Sequence, residues 1–443
     1  MDHRLLAYAE RAAPRYTSYP TAPFFTDAVG PETFRAWLGA LPADEPLSLY
    51  IHVPYCRDMC WYCGCNTQGL KRDEPLEAYV ETLLREIDLA AQASPARRVL
   101  EMHWGGGTPT ILSPERFNAI MAHLKARFDL SELKAHAVES DPRLMTPELA
   151  EAYAAAGVNR VSFGVQDLNK QVQEAIGRVQ SFALVKRAVQ QVRAAGIEEI
   201  SLDLMYGLPR QSLADIDNSV AMAASLKPAR IALFGYAHVP WFKPRQRLIE
   251  AAALPGAGLR FEQAETARRA LEAEGYVAIG LDHFARIGDS MTKAAREGAL
   301  KRNFQGYVAA PVETILGFGP SAISTLPQGY AQNAAQTSPW RKRVEDGDFA
   351  IVRGVALSQD DKTRRALIER IMCDFKVDLG AFGGRDAYAA EIERMAPLIE
   401  DGLARLDGDI LIIPEDAKPF CRLIAQAFDA YAALGVGRHS RAV

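Results

Sequence analysis

The stretch Leu47-Ser48-Leu49-Tyr50-Ile51-His52-Val53-Pro54-Tyr55-Cys56-Arg57-Asp58-Met59-Cys60-Trp61-Tyr62-Cys63-Gly64-Cys65 decides how the rest of the chain is read. Its first seven residues are mostly apolar, as in a strand covered on both faces. Three cysteines follow at once in a C-x3-C-x2-C spacing, and Cys65 lies two residues further on. Three thiolates this close in sequence can hold three corners of a 4Fe–4S cube and leave one iron open to another ligand. Cys56, Cys60 and Cys63 are therefore the candidate metal ligands. The competing reading is structural zinc with Cys65 as fourth ligand. Such sites usually draw on two separated pairs, and no second pair follows. Cys373 and Cys421 stand alone downstream and read as small buried residues of helices.

Working outward, short apolar runs alternate with amphipathic stretches. Strands are expected at Leu47–Val53, Val99–Trp104, His136–Ser140, Arg160–Val165, Ile200–Tyr206 and Arg230–Tyr236. A seventh run, Tyr276–Gly280, should close or flank the sheet. Helical patterns lie between them at Leu76–Ala93, Pro114–Phe128, Thr146–Ala156, Ala183–Ala195 and Leu213–Leu226. Strands alternating with helices imply a parallel sheet with right-handed crossovers. Polar residues collect at the strand ends, which favours an incomplete parallel (β/α)6 barrel with its chemistry on the C-terminal rim. An open doubly wound sheet is the alternative. Residues 1–46 form an N-terminal segment, 47–357 the barrel and its extension, and 358–443 a mainly helical, winged-helix-like domain. In that last unit Ser358–Phe375, Asp386–Leu398 and Pro419–Ala433 read as helices, and Ala404–Ile413 as a hairpin.

The whole chain of 443 residues carries a net charge of −4, with 49% hydrophobic and 24% charged residues. That composition belongs to an ordinary globular protein and excludes a disordered one. Residues 360–443 carry a net −3, so the winged-helix-like order lacks a cationic footprint for nucleic acid. No apolar run approaches the ~18 residues of a membrane helix, and the N-terminus shows no signal-peptide pattern. A cytoplasmic location is expected.

Two further features bear chemistry. Gly105-Gly106-Gly107-Thr108-Pro109 leaves the second strand, where a glycine run lets backbone amides approach a carboxylate or ammonium group. Glu139 and Asp203 project from apolar strands, where an unpaired carboxylate is costly. Either they serve the site, or each pairs with a buried arginine such as Arg160 or Arg178. His52 and His103 read as satisfied core histidines, and Met145, Met205 and Met222 as packing.

The cysteine loop, the GGGTP turn and the six-unit barrel together resemble the radical S-adenosylmethionine enzymes, and within them the oxygen-independent coproporphyrinogen III oxidases. The resemblance spans essentially the whole chain. It includes Pro14–Pro20, Tyr50–Cys56, Cys63–Asn66, His103–Thr110, Glu139–Arg143, Gly164–Asp167, Asp203–Pro209, Asn303–Tyr307 and Ser321–Ser324. Ser140 and Leu144 depart from the pattern. The resemblance implies that Cys56, Cys60 and Cys63 hold a 4Fe–4S cluster. It matches Tyr50, Gly106, Gly107, Thr108, Glu139, Gln166, Arg178, Asp203 and Ala237 to positions contacting S-adenosylmethionine. Tyr62 and Ile323 match positions for a second S-adenosylmethionine, and Gln305 a substrate-side catalytic position beside Glu139 and Asp203. The implied activity is oxidative decarboxylation of two propionates of a tetrapyrrole, coproporphyrinogen III, to vinyl groups. A low-potential donor such as flavodoxin or ferredoxin would supply electrons to a monomer, without nucleic acid or membrane span. A haem-trafficking paralogue without decarboxylase activity is the rival. Pro14–Pro20 and Cys65 favour the enzyme, and Arg15, Tyr16 and Tyr19 offer cationic and aromatic groups to a carboxylated macrocycle.

Overall fold

The computed structural model describes residues 3–309, 312–435 and 441. Six parallel strands run β1 (Leu47–Val53), β2 (Val99–Gly106), β3 (Ala135–Ser140), β4 (Arg160–Gln166), β5 (Glu199–Tyr206) and β6 (Arg230–Gly235). They are neighbours in chain order, as right-handed crossovers require. The connecting helices include α1 (Glu74–Ala93), α2 (Pro114–Arg127), α3 (Pro147–Ala155), α4 (Phe182–Ala194) and α5 (Leu213–Ser225). Side chains start them: Ser113, Thr146 and Ser181 each accept a backbone N–H at the first turn, and Ser212 forms a capping box with Asp215. Gly157 and Gly196 terminate α3 and α4 at φ 84° and 93°, a conformation L side chains resist.

The sheet extends past the six strands at both edges. The run from Tyr276 is β7 (Tyr276–Ile279), which flanks the sheet by pairing antiparallel with β8 (His283–Arg286), itself antiparallel to β6. Beside β1 lies β9 (Thr314–Phe318), parallel to it, followed by the antiparallel β10 (Ile323–Leu326), β11 (Gly329–Asn333) and β12 (Ile351–Ala356). The twelve-stranded order is β12-β11-β10-β9-β1-β2-β3-β4-β5-β6-β8-β7, a partial barrel with antiparallel wings.

After Ser358 come helix α6 (Gln359–Asp374), helix α7 (Ala389–Glu400) and a small antiparallel sheet of Lys376–Asp378, Arg405–Asp407 and Ile410–Ile412. The expected helix Pro419–Ala433 is broken. Glu415–Phe420 is a 3-10 turn around Pro419, Cys421–Ala427 is helical, and Ala432–Leu434 is again 3-10. Proline removes an amide donor and forces this division. Cys373 and Cys421 are buried in helices as expected.

The N-terminal segment is structural. Phe34 and Leu38 join the main core under the sheet, each contributing about 1.5–3 kcal/mol on burial. Ala13, Tyr16 and Tyr19 pack into the core of the C-terminal unit. Tyr16 donates its hydroxyl to Asp429, and the Tyr19 hydroxyl accepts the Ala430 amide. These two rings are therefore committed to packing; of the trio expected to meet a macrocycle, Arg15 alone borders the large cavity described below.

Candidate active site

The cysteine loop leaves β1 at the C-terminal rim. Tyr55–Cys56 pairs parallel with Gln68–Gly69, so the intervening residues close into a loop. The Trp61 amide anchors that loop to the Ile176 carbonyl at 2.9 Å. Each of three sulfurs receives its own donor. Thr108 Oγ1 reaches Cys56 Sγ at 3.2 Å, Arg178 Nη1 reaches Cys60 Sγ at 3.4 Å, and the Cys65 amide reaches Cys63 Sγ at 3.4 Å. Donors aimed at sulfur stabilise thiolates and tune a cluster bound to them. Among the described residues no three ligating side chains converge to hold a single metal ion. In a cube each thiolate binds a different iron, so no such convergence is needed. The donor set fits a 4Fe–4S cluster held by Cys56, Cys60 and Cys63.

The glycine run packs the end of β2 against this loop. A Cβ on Gly107 would sit 2.6 Å from the Tyr55 carbonyl oxygen, and one on Gly105 would sit 2.9 Å from Glu139 Oε2. Two of its amides are spent internally: Gly107 donates to the Val53 carbonyl at 2.7 Å and Gly106 to Glu139 Oε2 at 3.3 Å. Close approach of backbones, rather than a row of free amides, is why glycine stands here.

Register places the carboxylates. His103 pairs with Ala137, so Glu139, two residues on, shares its face. His103 Nε2 lies 3.3 Å from Glu139 Oε1, and its ring stacks on Tyr50 at 6.0 Å. Burial pushes the Glu139 carboxyl up, but His103 and the Gly106 amide outweigh it and hold the group below the usual carboxylate range. Its side chain keeps 45% of its accessible surface, and that surface faces the barrel mouth. By the same logic Asp203 follows Ser201, the partner of Ser162, and accepts the Ser162 hydroxyl at 2.9 Å. Burial first, and then the charge of Glu139, push Asp203 up to about 6.

The arginine pairing weighed for these two carboxylates is not found. Arg160 binds Glu199 at 2.7 Å. Arg178 donates to Asp141 and to the Gly164 carbonyl, and its buried Nε has no partner among the described residues. Gln166 ends β4 at φ 68°, next to a register shift, with its amide beside Gly164. His52 is a satisfied core residue, between the Tyr50 hydroxyl and the Asn66 carbonyl.

Tyr62 and Ala237 meet through a residue the sequence did not flag. Gln246 is buried and donates to both carbonyls, at 2.8 and 3.1 Å, while its Oε1 accepts the Val239 amide at 2.6 Å. Ile323 opens β10 beside Gly317, the register partner of Tyr50. Gln305 stands apart, in the turn of the hairpin Lys301–Asn303/Gly306–Val308, its amide capped by Asn303 and its buried Nε2 unpartnered among the described residues. His103, Ser162 and Gln246 are the participants that reading the sequence missed. Only register could have revealed the first two. Beside the ends of β5 and β6 opens a cavity of about 1040 Å³ bordered by Tyr206, Leu233, Phe234, Gly235 and Ala237.

The radical SAM superfamily pattern matches residues 50–223. The oxygen-independent coproporphyrinogen III oxidase of Bradyrhizobium diazoefficiens is 47% identical over 444 residues, covering 99% of each chain. That of Escherichia coli K12 is 35% identical, covering 97% of this chain and 95% of its own. The solved structure of coproporphyrinogen III oxidase from Escherichia coli, described as a radical SAM enzyme, superposes with a TM-score of 0.89 at 34% identity, covering 94% of this chain and 97% of that one. Radical SAM membership implies a 4Fe–4S cluster and S-adenosylmethionine, and the thiols and polar groups at this rim suit both. Similarity that runs from the N-terminal segment through the last helix, with the cysteine loop intact, makes this chain a member of the oxygen-independent coproporphyrinogen III oxidase family, an oxidoreductase of the radical SAM superfamily.

Proposed function

We propose that the protein converts coproporphyrinogen III to protoporphyrinogen IX by oxidative decarboxylation of two propionates, consuming two molecules of S-adenosylmethionine. When bound, the cluster and cofactor supply a 5′-deoxyadenosyl radical that removes a hydrogen from a propionate side chain, after which carbon dioxide and one electron depart to leave a vinyl group. The observation that carries this reading is the pairing at one rim of three sulfur ligands with two carboxylates that form no ion pair with an arginine among the described residues. Glu139, held ionised, offers a fixed negative charge to the ammonium or sulfonium of the cofactor. Asp203, pushed up to about 6 by burial and then by Glu139, adds a second negative charge at neutral pH. Arg178 has its Nε left for the cofactor's carboxylate, and Tyr50, Gly106, Gly107, Thr108, Gln166 and Ala237 wall the pocket. Tyr62 and Ile323 border a second cofactor, and Gln305 acts from the substrate side. Residues 1–46, 47–357 and 358–443 serve as strap, barrel and cover. The strap's commitment to the C-terminal core, with Arg15 on the cavity wall, favours the enzyme over a haem-trafficking paralogue.

Among the described residues no helix is long and apolar enough to cross a membrane. A cytoplasmic monomer reduced by flavodoxin or ferredoxin is the form in which we propose that it works. The test is anaerobic turnover of the cluster-loaded protein with coproporphyrinogen III, S-adenosylmethionine and a reductant, with products oxidised and read by fluorescence. The expected ratio is two 5′-deoxyadenosines per protoporphyrin. Cofactor cleavage with haem binding and no vinyl product would establish the paralogue instead.

A further inference from the structure

The cavity beside β5 and β6 has an unusual wall. Its described lining carries seven basic side chains against four carboxylates. Four of the basic groups come from four separate parts of the chain: Arg15 from the N-terminal segment, Arg260 from the helix Ala257–Ala273, Arg302 from the hairpin and Arg422 from the helix Cys421–Ala427. Their attachments hold them there. Arg422 bonds the carbonyls of Ala13 and Pro14, Arg302 Nε bonds the Arg15 carbonyl at 3.3 Å, and Arg260 Nη1 bonds the Tyr236 carbonyl at 2.7 Å. For Arg260 the carbonyl orients the guanidinium without neutralising it. Arg302 keeps 5% of its side-chain surface and Asp282 is 4.0 Å away, yet its Nη1 has no partner among the described residues, nor has Arg260 Nε. Asp282 is itself held by His283 at 2.7 Å. Burial first, and then the charges of Arg441 and Arg15, lower the proton affinity of Arg260, whereas for Arg302 burial is outweighed by Tyr307 and Asp282, which raise it. The buried Nη1 of Arg302 and Nε of Arg260, without partners among the described residues, are costly to leave unmet and suit an anionic ligand that enters the cavity.

We propose that Arg15, Arg260 and Arg302 form the carboxylate-reading wall of the substrate site, with Arg422 holding the strap beside them, and that they grip propionates of a polycarboxylated macrocycle whose ring lies against Tyr206, Leu233 and Phe234. This rests on the substrate class argued above and names the groups that read it. The volume is at the upper end of the ~300–1,000 Å³ of small-molecule pockets, a size for a large ring. Arginine forks suit carboxylates bidentately. Because the strap that carries Arg15 is held by Arg422 of the C-terminal unit, the site is complete only when strap, barrel extension and C-terminal unit are packed together.

Coproporphyrin III, the fluorescent oxidised macrocycle with four carboxylates, is the probe, titrated into the cluster-loaded full chain without S-adenosylmethionine. Arg260→Gln and Arg302→Gln should each weaken its binding at least tenfold. The uncharged tetramethyl ester should bind wild type and variants alike, and rising salt should weaken only the tetra-acid. Arg15→Gln, at an exposed position, gives a variant whose folding is not in question and should lose affinity in the same way. Iron content and uncoupled cofactor cleavage should stay at wild-type level. Variants that bind the tetra-acid as tightly as wild type would overturn the proposal while leaving turnover by the wild type standing. A wild type that binds it through these arginines but forms no vinyl product would instead overturn the activity.

Discussion

Asp203→Asn separates a residue kept for function from one kept for the fold. The wild-type carboxyl is pushed from 3.8 to about 6, chiefly by burial and then by Glu139, with Ser162, His283 and Arg178 pulling the other way. A shift of roughly 2 units corresponds to about 3 kcal/mol spent on ionising Asp203 in the folded state at neutral pH. The group is only partly buried at a water-accessible mouth, which reduces this to about 1–2 kcal/mol. Because the folded-state value is raised, the stabilisation exists below about pH 4 and is lost as pH rises through about 6. Asparagine never ionises and still accepts the Ser162 hydroxyl. Without S-adenosylmethionine, the variant should therefore melt about 1–4 °C higher than wild type at pH 7.5, and the gain should shrink by pH 5. With cofactor the order reverses. The variant should bind S-adenosylmethionine at least tenfold more weakly and yield correspondingly less 5′-deoxyadenosine at sub-saturating cofactor, because the second negative charge is gone. Calorimetry of the cluster-loaded protein at both pH values, with and without cofactor, reads both effects. A fall in Tm at pH 7.5 with unchanged cofactor affinity would refute the reasoning and make Asp203 a structural residue.

Serine at Cys56, Cys60 or Cys63 should abolish bound iron, whereas Cys65→Ser should retain it; iron assay and visible absorbance decide, and loss of iron in the Cys65 variant would overturn that division. Gln246→Ala should leave iron intact but raise KM for S-adenosylmethionine about tenfold, since the tie between the Tyr62 and Ala237 carbonyls is cut. Glu86 is buried and accepts from the Gly319 amide, Asn333 and Trp340. Glu86→Ala should cost about 3 kcal/mol in denaturant unfolding by orphaning those donors. Glu86→Gln should cost less, and less at pH 8 than at pH 5.5, because burial pushes the native carboxyl up to about 7 and its stabilisation is lost as pH rises.

What the sequence disclosed and what it withheld follow from the range of the forces involved. The six parallel strands were legible because each is an apolar run bounded by helix signals. The five strands β8–β12 were not: they are short, and pieces such as Gly329–Asn333 become strands only through a neighbour's hydrogen bonds. Spacing alone disclosed the cysteines. Tyr16 and Tyr19 were assigned to the macrocycle by residue type, yet type does not say which side of the segment faces the cavity; Asp429 and the Ala430 amide take them to the other. Glu139 and Asp203 show the limit most clearly. Both are carboxylates near the ends of apolar strands, and nothing in their flanking residues separates them. Their difference comes from what register brings opposite. Glu139 meets an imidazole and a backbone amide, whereas Asp203 meets a hydroxyl and the charge of Glu139 itself. Glu139 is held below the usual carboxylate range, and Asp203 is pushed up to about 6, chiefly by burial and then by Glu139. A cationic ligand beside both lowers the cost of ionising Asp203, so the burial and the neighbouring charge that raise its proton affinity are offset where a cofactor binds.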